Sequence, residues 1–434
     1  MKKTVPAEKY EFTKYQIFVI AILAFTQFTV VLDFMVMSPL GDMLMKSMSL
    51  RPSQFGLAVS SYAFSAGLAG LLTAGFADSF DRKKLLLFFY IGFIAGTLFC
   101  GLTTSYPMLI AARIVTGLFG GVIGSISMAI VADLFPLQER GRVMGFMQMG
   151  FGASQVLGIP ISLYLANVWG WQSPFLMIVG LAVLIWLVII FKLQPITKHL
   201  EIKNDRNAIA HLWHTFSKRR YRIGFISTAF LSIGGFMMMP WGSAFSINNL
   251  HVTQKQLPVL FMVAGISTLV IMPFIGKLSD KIDKFKLFAF ASVWMIVVVL
   301  IYTNLTPVPF AVVMVMNILM MIGIMSRMVP SMALTSALPE MQDRGAFMSI
   351  NSSLQQIAGG VAAAIGGMIV VQKTKTSPLE HYDTLGLLIV AISIVGIFLV
   401  YRVSQLIKSS SNGSAGHFKT GHKVKQEQES HPVA

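Results

Sequence analysis

Three ionisable side chains, Asp33, Arg113 and Arg327, stand inside long stretches of the chain that are otherwise almost free of charge. A charge at mid-bilayer costs about 2.5–3.5 kcal/mol on insertion scales, so such residues persist where they pair, bind ligands or carry protons. Asp33 lies about seven residues before the outer end of its apolar stretch and Arg113 about six after the outer end of another; at about 1.5 Å rise per residue their depths agree within a few ångströms. A carboxylate matched to a guanidinium is a usable proton site, because protonation removes the negative charge and frees the cation for another partner. The same pair could instead be a permanent bond that only locks two helices together. Arg327 stands about ten residues before the inner end of its stretch, close to Pro330, with no obvious acidic partner in its own half of the chain. An unpaired buried guanidinium is expensive. It could bind an anionic or hydroxyl-rich substrate, pair with Asp33 in one conformation, or bond backbone carbonyls.

Polar residues at helical spacing extend the candidate set. Thr26, Thr29, Asp33 and Met37 follow i, i+3 and i+4 spacing and so occupy one helical face, expected to look into a cavity. The threonine hydroxyls could also bond their own helix backbone. Gln148 and Gln155 share a face of one apolar stretch, and Asn351 and Gln355 share a face of another; each pair could line a cavity or hydrogen-bond between helices. Phe236, Met237, Met238, Met239 and Trp241 around Pro240 predict a broken helix with an adaptable apolar lining. His211 and His214 have too few companions for a metal site and read as solvated surface, and no metal or cofactor is expected. The glycines at 117, 120, 121 and 124 and at 359, 360, 366 and 367 fit close helix approach; no strand precedes them, as a nucleotide loop would require.

These residues must be positioned by helices in a membrane. Of the 434 residues, 55% are hydrophobic and only 12% charged, against about 25% charged in soluble domains. Uncharged runs long enough to cross the hydrocarbon core recur near residues 16–40, 53–77, 84–103, 107–134, 142–167, 173–192, 223–249, 257–279, 286–304, 309–337, 345–371 and 382–404. No period-2 alternation supports a β-barrel. With twelve spans, 27 of the 34 cations fall in segments on the side of the two termini and 5 on the other, which places both termini in the cytoplasm. The net charge of +16 therefore reports topology, and no nucleic-acid partner is implied. The first span is too long for the hydrophobic region of a signal peptide and is expected to remain. Cys100, the only cysteine, reads as a packing residue.

The longest polar interruption, residues 193–222, leaves six spans on either side, and the two halves carry matching loops. Asp78 and Asp81 after the second span correspond to Asp280 and Asp283 after the eighth, each pair 202 apart; Arg140 after the fourth corresponds to Arg344 after the tenth, 204 apart. Duplication is the simplest account. Over residues 12–405 the chain resembles the major facilitator superfamily. Its Gly75-Phe-Ala-Asp-Ser-Phe-Asp-Arg-Lys-Lys84 is similar to that family's Gly-x-Leu-Ala-Asp-Arg-x-Gly-Arg-Lys loop, with Asp78, Arg82 and Lys83 in register; Ala74 and Asp81 replace two glycines. Aspartate can visit the left-handed conformation a glycine would supply at 81. The Arg113-Ile-Val-Thr-Gly117 segment resembles the fourth-helix signature. Gly158-Ile-Pro160, followed by Trp169-Gly-Trp-Gln-Ser-Pro-Phe175, is similar to the arabinose-efflux-permease-like and drug:proton antiporter branch, whose motif reads Gly-Pro without the intervening isoleucine.

The resemblance implies an all-α polytopic membrane protein with twelve transmembrane helices in two six-helix bundles: an N-terminal bundle to residue 192, a cytoplasmic linker over 193–222, a C-terminal bundle over 223–404 and a disordered cytoplasmic tail from 405. It implies that the first and fourth helices adjoin, so that Asp33 and Arg113 pair. Asp78 would sit near the start of the eleventh helix, around Arg344, while Arg82 reaches Asp133; with Asp280, Gly158 and Pro160 these residues would govern gating. The expected function is proton-coupled efflux of a small organic compound such as a sugar or drug by alternating access, in a bacterial cytoplasmic membrane, as a monomer whose partners are substrate, protons and lipid. A proton symporter importing a metabolite, or a non-transporting receptor or scaffold on the same fold, are the alternatives. An enzyme is not expected, for the chain has no nucleophile elbow, metal cluster or Walker-type loop.

Overall fold

A computed structural model describes residues 11–73, 80–197, 200, 208–340 and 342–428, with the side chains of 137, 208–209 and 410–428 outside that description. Among the described residues it is all helix, with one isolated bridge between Val371 and Glu380. The first half comprises α1 (Lys14–Val36), α2 (Gly41–Met48), α3 (Pro52–Thr73), α4 (Arg82–Leu102), α5 (Tyr106–Leu134), α6 (Leu137–Ala153), α7 (Ile159–Trp169) and α8 (Ser173–Lys192). After α9 (Ala208–Ser217) the second half follows as α10 (Arg219–Phe236), α11 (Gly242–Asn248), α12 (Leu257–Lys281), α13 (Lys284–Thr303), α14 (Phe310–Ala337), α15 (Arg344–Ile369) and α16 (Tyr382–Gln428). Helices satisfy every backbone group within one segment, which lipid demands.

Eleven spans among the described residues are long and apolar enough to cross a membrane, counting α6–α7 and α10–α11 as single crossings. The twelfth, α15, is the exception in composition but not in length. At 26 residues it is long enough, but Ser349, Asn351, Ser352, Ser353, Gln355 and Gln356 lower its hydropathy. The reason is its place: α15 packs along α3 of the other half, with Asn351, Ser353, Gly359, Gly360 and Ala363 buried, and has little need of a lipid-facing surface.

Local chemistry sets the ends of these helices. Thr13 and Gln16 form a reciprocal capping box at the start of α1. Asp81 caps α4 by accepting from the Lys83 N–H, and Asp283 caps α13 by accepting from the Phe285 and Lys286 N–H groups. The two residues 202 apart thus do the same work in the two halves. Asp81 has φ −55°, so it stands there as a cap, and the left-handed conformation anticipated for it is not adopted. Gly170, at φ +91°, ends α7 in the left-handed region that favours glycine.

Two prolines reshape their spans. Pro160 has no N–H to donate, and a π-turn over Ser154–Gly158 precedes it between α6 and α7. Pro240 lies in a short 3₁₀ turn, Met239–Trp241, that separates α10 from α11. The helical backbone of α16 runs on through Gln428, where disorder was expected from residue 405; no proline interrupts it before Pro432.

The halves meet in a pseudo-twofold arrangement. The second span of each half packs on the fifth of the other: α3 on α15, and α12 on the π-turn and α7. Within the first half α5 packs on α3 and α4, and α6 and α8 on α1; within the second, α14 packs on α12 and α13, and α10 on α15 and α16. Helix α9 lies against α10 and α15. There the Asp343 carboxylate accepts from the Lys218 ammonium at 2.6 Å and the Tyr221 hydroxyl at 2.9 Å.

Candidate functional site

The first-half pair forms as its depths predicted. Arg113 Nη1 on α5 donates to Asp33 Oδ2 on α1 at 2.9 Å, with both side chains fully buried. Thr97 on α4 donates to Asp33 Oδ1 at 3.2 Å. Arg113 Nε and Nη2 find no acceptor, and the guanidinium carbon stands 4.5 Å from the centre of the Tyr62 ring. Tyr62 packs on Phe34 with ring centres 5.3 Å apart, and Phe34 packs on Phe236 of the second half at 6.1 Å. A run of contacts thus leads from the ion pair across the seam.

A cavity of about 760 Å³ occupies the other side of that seam. Phe236 lines it, and most of its wall belongs to the second half; the first half contributes only Met35, Ser38, Pro39, Phe151, Gln155 and Ile159 among the described residues. It extends from Tyr302 and Tyr382 to Thr335, Ser336 and Met348, at the ends of α14 and α15 nearest the chain termini. At the opposite end the halves are tied together. Asp42 on α2, 1% exposed, accepts from Lys46 at 2.9 Å, from Asn248 on α11 at 2.6 Å and from Gln254 at 2.9 Å. Ser243 donates to the Ser38 carbonyl at 2.7 Å, Ser38 to that of Met239, and Ser60 to that of Gly360 at 2.8 Å. Built on Gly56, a Cβ would lie 2.6 Å from the Ala363 carbonyl oxygen, so the α3–α15 seam closes on bare glycine. The cavity is therefore shut at the α2 end and opens toward the termini.

Several expected site residues line this cavity. Arg327 is half-buried in its wall; its Nη1 makes one long bond of 3.4 Å to Ser393, and Nε has no partner. Asn351, held by the Thr228 hydroxyl at 2.7 Å, lines it with Gln355 and Gln155. Others do not. Thr29 bonds the Tyr90 hydroxyl at 2.8 Å and the Thr26 carbonyl, and Thr26 bonds the Ile22 carbonyl, so this face of α1 looks into the first bundle. Met37 borders only a cleft of about 20 Å³ at the seam. Gln148 is exposed and away from the cavity: it lies two turns from Gln155 toward the start of α6, beyond the stretch from Phe151 to Ile159 that lines the wall. Trp241 is fully buried against Phe55, with ring centres 5.6 Å apart, at the closed end and not in the cavity wall.

Of the gating candidates, Arg82 meets Asp133 at 3.1 Å. Asp78 lies outside the described residues. Asp280 and Arg344 are exposed, and Gly158 lets Leu32 of α1 approach the π-turn that Pro160 follows. His211 and His214, expected to be plain surface, come within 4.8 Å of Asp343. Lys218 already occupies that carboxylate, so the trio reads as an anchor for α9. Burial acts to raise the pKa of Asp343, but the Lys218 and Tyr221 hydrogen bonds and the Lys218 charge outweigh it and hold it below the ordinary value.

Sequence reasoning missed the Asp42 tie and most of the lining. One signal was available: Asn317, Met321, Met325, Met328 and Met332 recur at spacings of 4, 4, 3 and 4 along α14, a single stripe beside Arg327.

Comparison with known families decides the class. The profile described as Major Facilitator Superfamily matches residues 23–363. The chain belongs to the Major Facilitator Superfamily. Like other members it is a membrane transporter and not an enzyme. Among superfamily relatives it is 27% identical over 382 residues to the uncharacterised transporter YbcL of Bacillus subtilis, covering 87% of this chain and 95% of that one. A probable sugar efflux transporter of Helicobacter pylori is 28% identical over 185 residues, 43% of this chain and 46% of that one. Two solved superfamily structures share the fold at a TM-score of 0.73. One is a bacterial homologue of the human lysosomal transporter Spinster, inward-facing and unoccupied, at 15% identity with 92% of this chain and 99% of that chain covered. The other is a D-xylose–proton symporter, at 16% identity with 89% and 97% covered.

Proposed function

We propose that this transporter exports a small organic compound in exchange for protons, by rocking its two bundles about the α3–α15 and α7–α12 seams. One observation carries the reading: the fully buried Asp33 has Arg113 as its ion-pair partner, and it shares α1 with the cavity residue Met35. Protonating Asp33 would leave Arg113 unanswered, which is costly in a dry site. The strain would reach the cavity through Tyr62, Phe34 and Phe236. Such a residue in a span is a functional site by default.

The excess of cations at the termini side supports a cytoplasmic location for both termini. The cavity as described is then open to the cytoplasm, the side from which an exporter loads. The name of the Helicobacter pylori relative and the resemblance of Gly158-Ile-Pro160 to the antiporter motif favour efflux over import. The test is transport in proteoliposomes under an imposed proton gradient, with a panel of small organic solutes. Export should dissipate an inward proton gradient as substrate leaves, whereas import would move both the same way and reject the direction. Asp33→Asn should abolish substrate-dependent proton flux while thermal unfolding shows the protein still folded. Undiminished coupled flux would remove Asp33 from the mechanism.

A further inference from the structure

The cavity wall has an uneven chemistry. Ten of the chain's 28 methionines line it, a soft, polarisable surface suited to apolar bodies of varied shape. Arg327 is the one charged side chain in that lining among the described residues. It has no carboxylate within ion-pair reach among them, and its strongest polar contact is the 3.4 Å bond to Ser393. The acidic residues between 223 and 404, namely Asp280, Asp283, Glu340, Asp343, Glu380 and Asp383, all lie at or beyond the ends of the helices. Of the buried acids of the first half, Asp33 is committed to Arg113, and Asp42 to Lys46, Asn248 and Gln254 at the closed end. A cation half-buried in an apolar wall without a counter-ion is costly in the empty site, and an incoming anion removes that cost.

We propose that the substrate is an organic anion with a hydrophobic body, its carboxylate or sulfonate bound by Arg327 and its body seated on the methionine stripe of α14. The proposal rests on the reading of this cavity as the transport site. It separates the choice between a sugar and a drug: a sugar needs many fixed hydrogen bonds, a methionine wall offers few, and a cationic drug would be repelled by Arg327. A volume of about 760 Å³ suits a molecule of drug size.

The test is calorimetric titration of the full chain in phosphatidylcholine nanodiscs with three probes that share one body: naphthalene sulfonate, naphthyl methanol and naphthylmethyl trimethylammonium. The sulfonate should bind most tightly, and Arg327→Gln should weaken it by about 10- to 150-fold, the worth of a charged hydrogen bond. The neutral alcohol should bind that variant as it binds the parent, which shows the cavity still folded, and Arg327→Lys should retain part of the sulfonate affinity. Equal or tighter binding of the cation, sulfonate affinity unmoved by Arg327→Gln, or no binding by any probe would each overturn the proposal. Loss of sulfonate binding when phosphatidylglycerol is added to the nanodisc would assign the site to an anionic lipid and overturn it as well. No gradient is present, so these outcomes are independent of whether proton-coupled export is correct.

Discussion

Replacing Asp42 with asparagine should unlock the α2 end of the transporter. Three donors converge on this buried carboxylate, and two of them, Asn248 at 2.6 Å and Gln254 at 2.9 Å, belong to the other half. Asparagine keeps one acceptor oxygen but turns an amide N–H₂ toward groups that are themselves donors. One cross-half bond to a charged acceptor, worth about 1.5–3 kcal/mol, is lost, and the other falls to the neutral range of about 0.5–1.5 kcal/mol. A combined loss of about 2–3 kcal/mol shifts the balance between the two facing states about 30- to 150-fold toward the one open at the α2 end. The chain supplies its own background for the assay, because Cys100, its sole cysteine, is fully buried. A cysteine placed at Ser246, in the cavity wall near the closed end, should react with a membrane-impermeant thiol reagent applied from the α2 side. Its labelling rate should rise by about that factor in the Asp42→Asn background. A rate unchanged within about threefold, less than 1 kcal/mol, would show that the Asp42 cluster does not hold the gate.

Two further outcomes follow from the same geometry. Gly56→Ala forces a methyl against the Ala363 carbonyl at the α3–α15 seam; overpacking of about 1–3 kcal/mol should raise labelling of the Ser246 position from the α2 side by about 5- to 150-fold. Asp343→Asn should loosen the α9–α10 junction, where Lys218 and Tyr221 hold the chain to the start of α15, seen as faster protease cleavage of the 193–222 linker. Because the Asp343 pKa is lowered in the folded protein, its contribution is fully present above the ordinary aspartate value of about 3.9. It disappears only as pH falls further, through the folded value, so cleavage governed by this carboxylate should be flat from about pH 8 to pH 5.

The ion pair was legible in the sequence because depth in a membrane is set by counting residues along a helix, and Asp33 and Arg113 counted to the same level. Arg327 was legible as an uncompensated charge, and Asp81 and Asp283 as a repeated position. What a helix face meets was not legible. Thr29 shares a face with Asp33, yet that face turns to Tyr90 inside the bundle, since spacing fixes which residues point together and not toward which neighbour. Gln148 shares the spacing of Gln155, but only the stretch from Phe151 to Ile159 reaches the cavity, and spacing along a helix does not say where along its length a cavity ends. The Asp42 cluster was hidden for a different reason: Asp42 and Lys46 form a visible i, i+4 pair, but Asn248 and Gln254 are more than 200 residues away and meet them only when one end of the molecule is shut.

The polarity of α15 bears on how the protein is assembled during synthesis. A segment so rich in serine, asparagine and glutamine partitions weakly into lipid on its own, since each polar residue near a helix centre works against insertion. Its stabilising surface is α3, made some 300 residues earlier. The first bundle therefore acts as a receptor for the second during biogenesis, and a C-terminal half synthesised alone would lack the groove into which its fifth helix must be threaded.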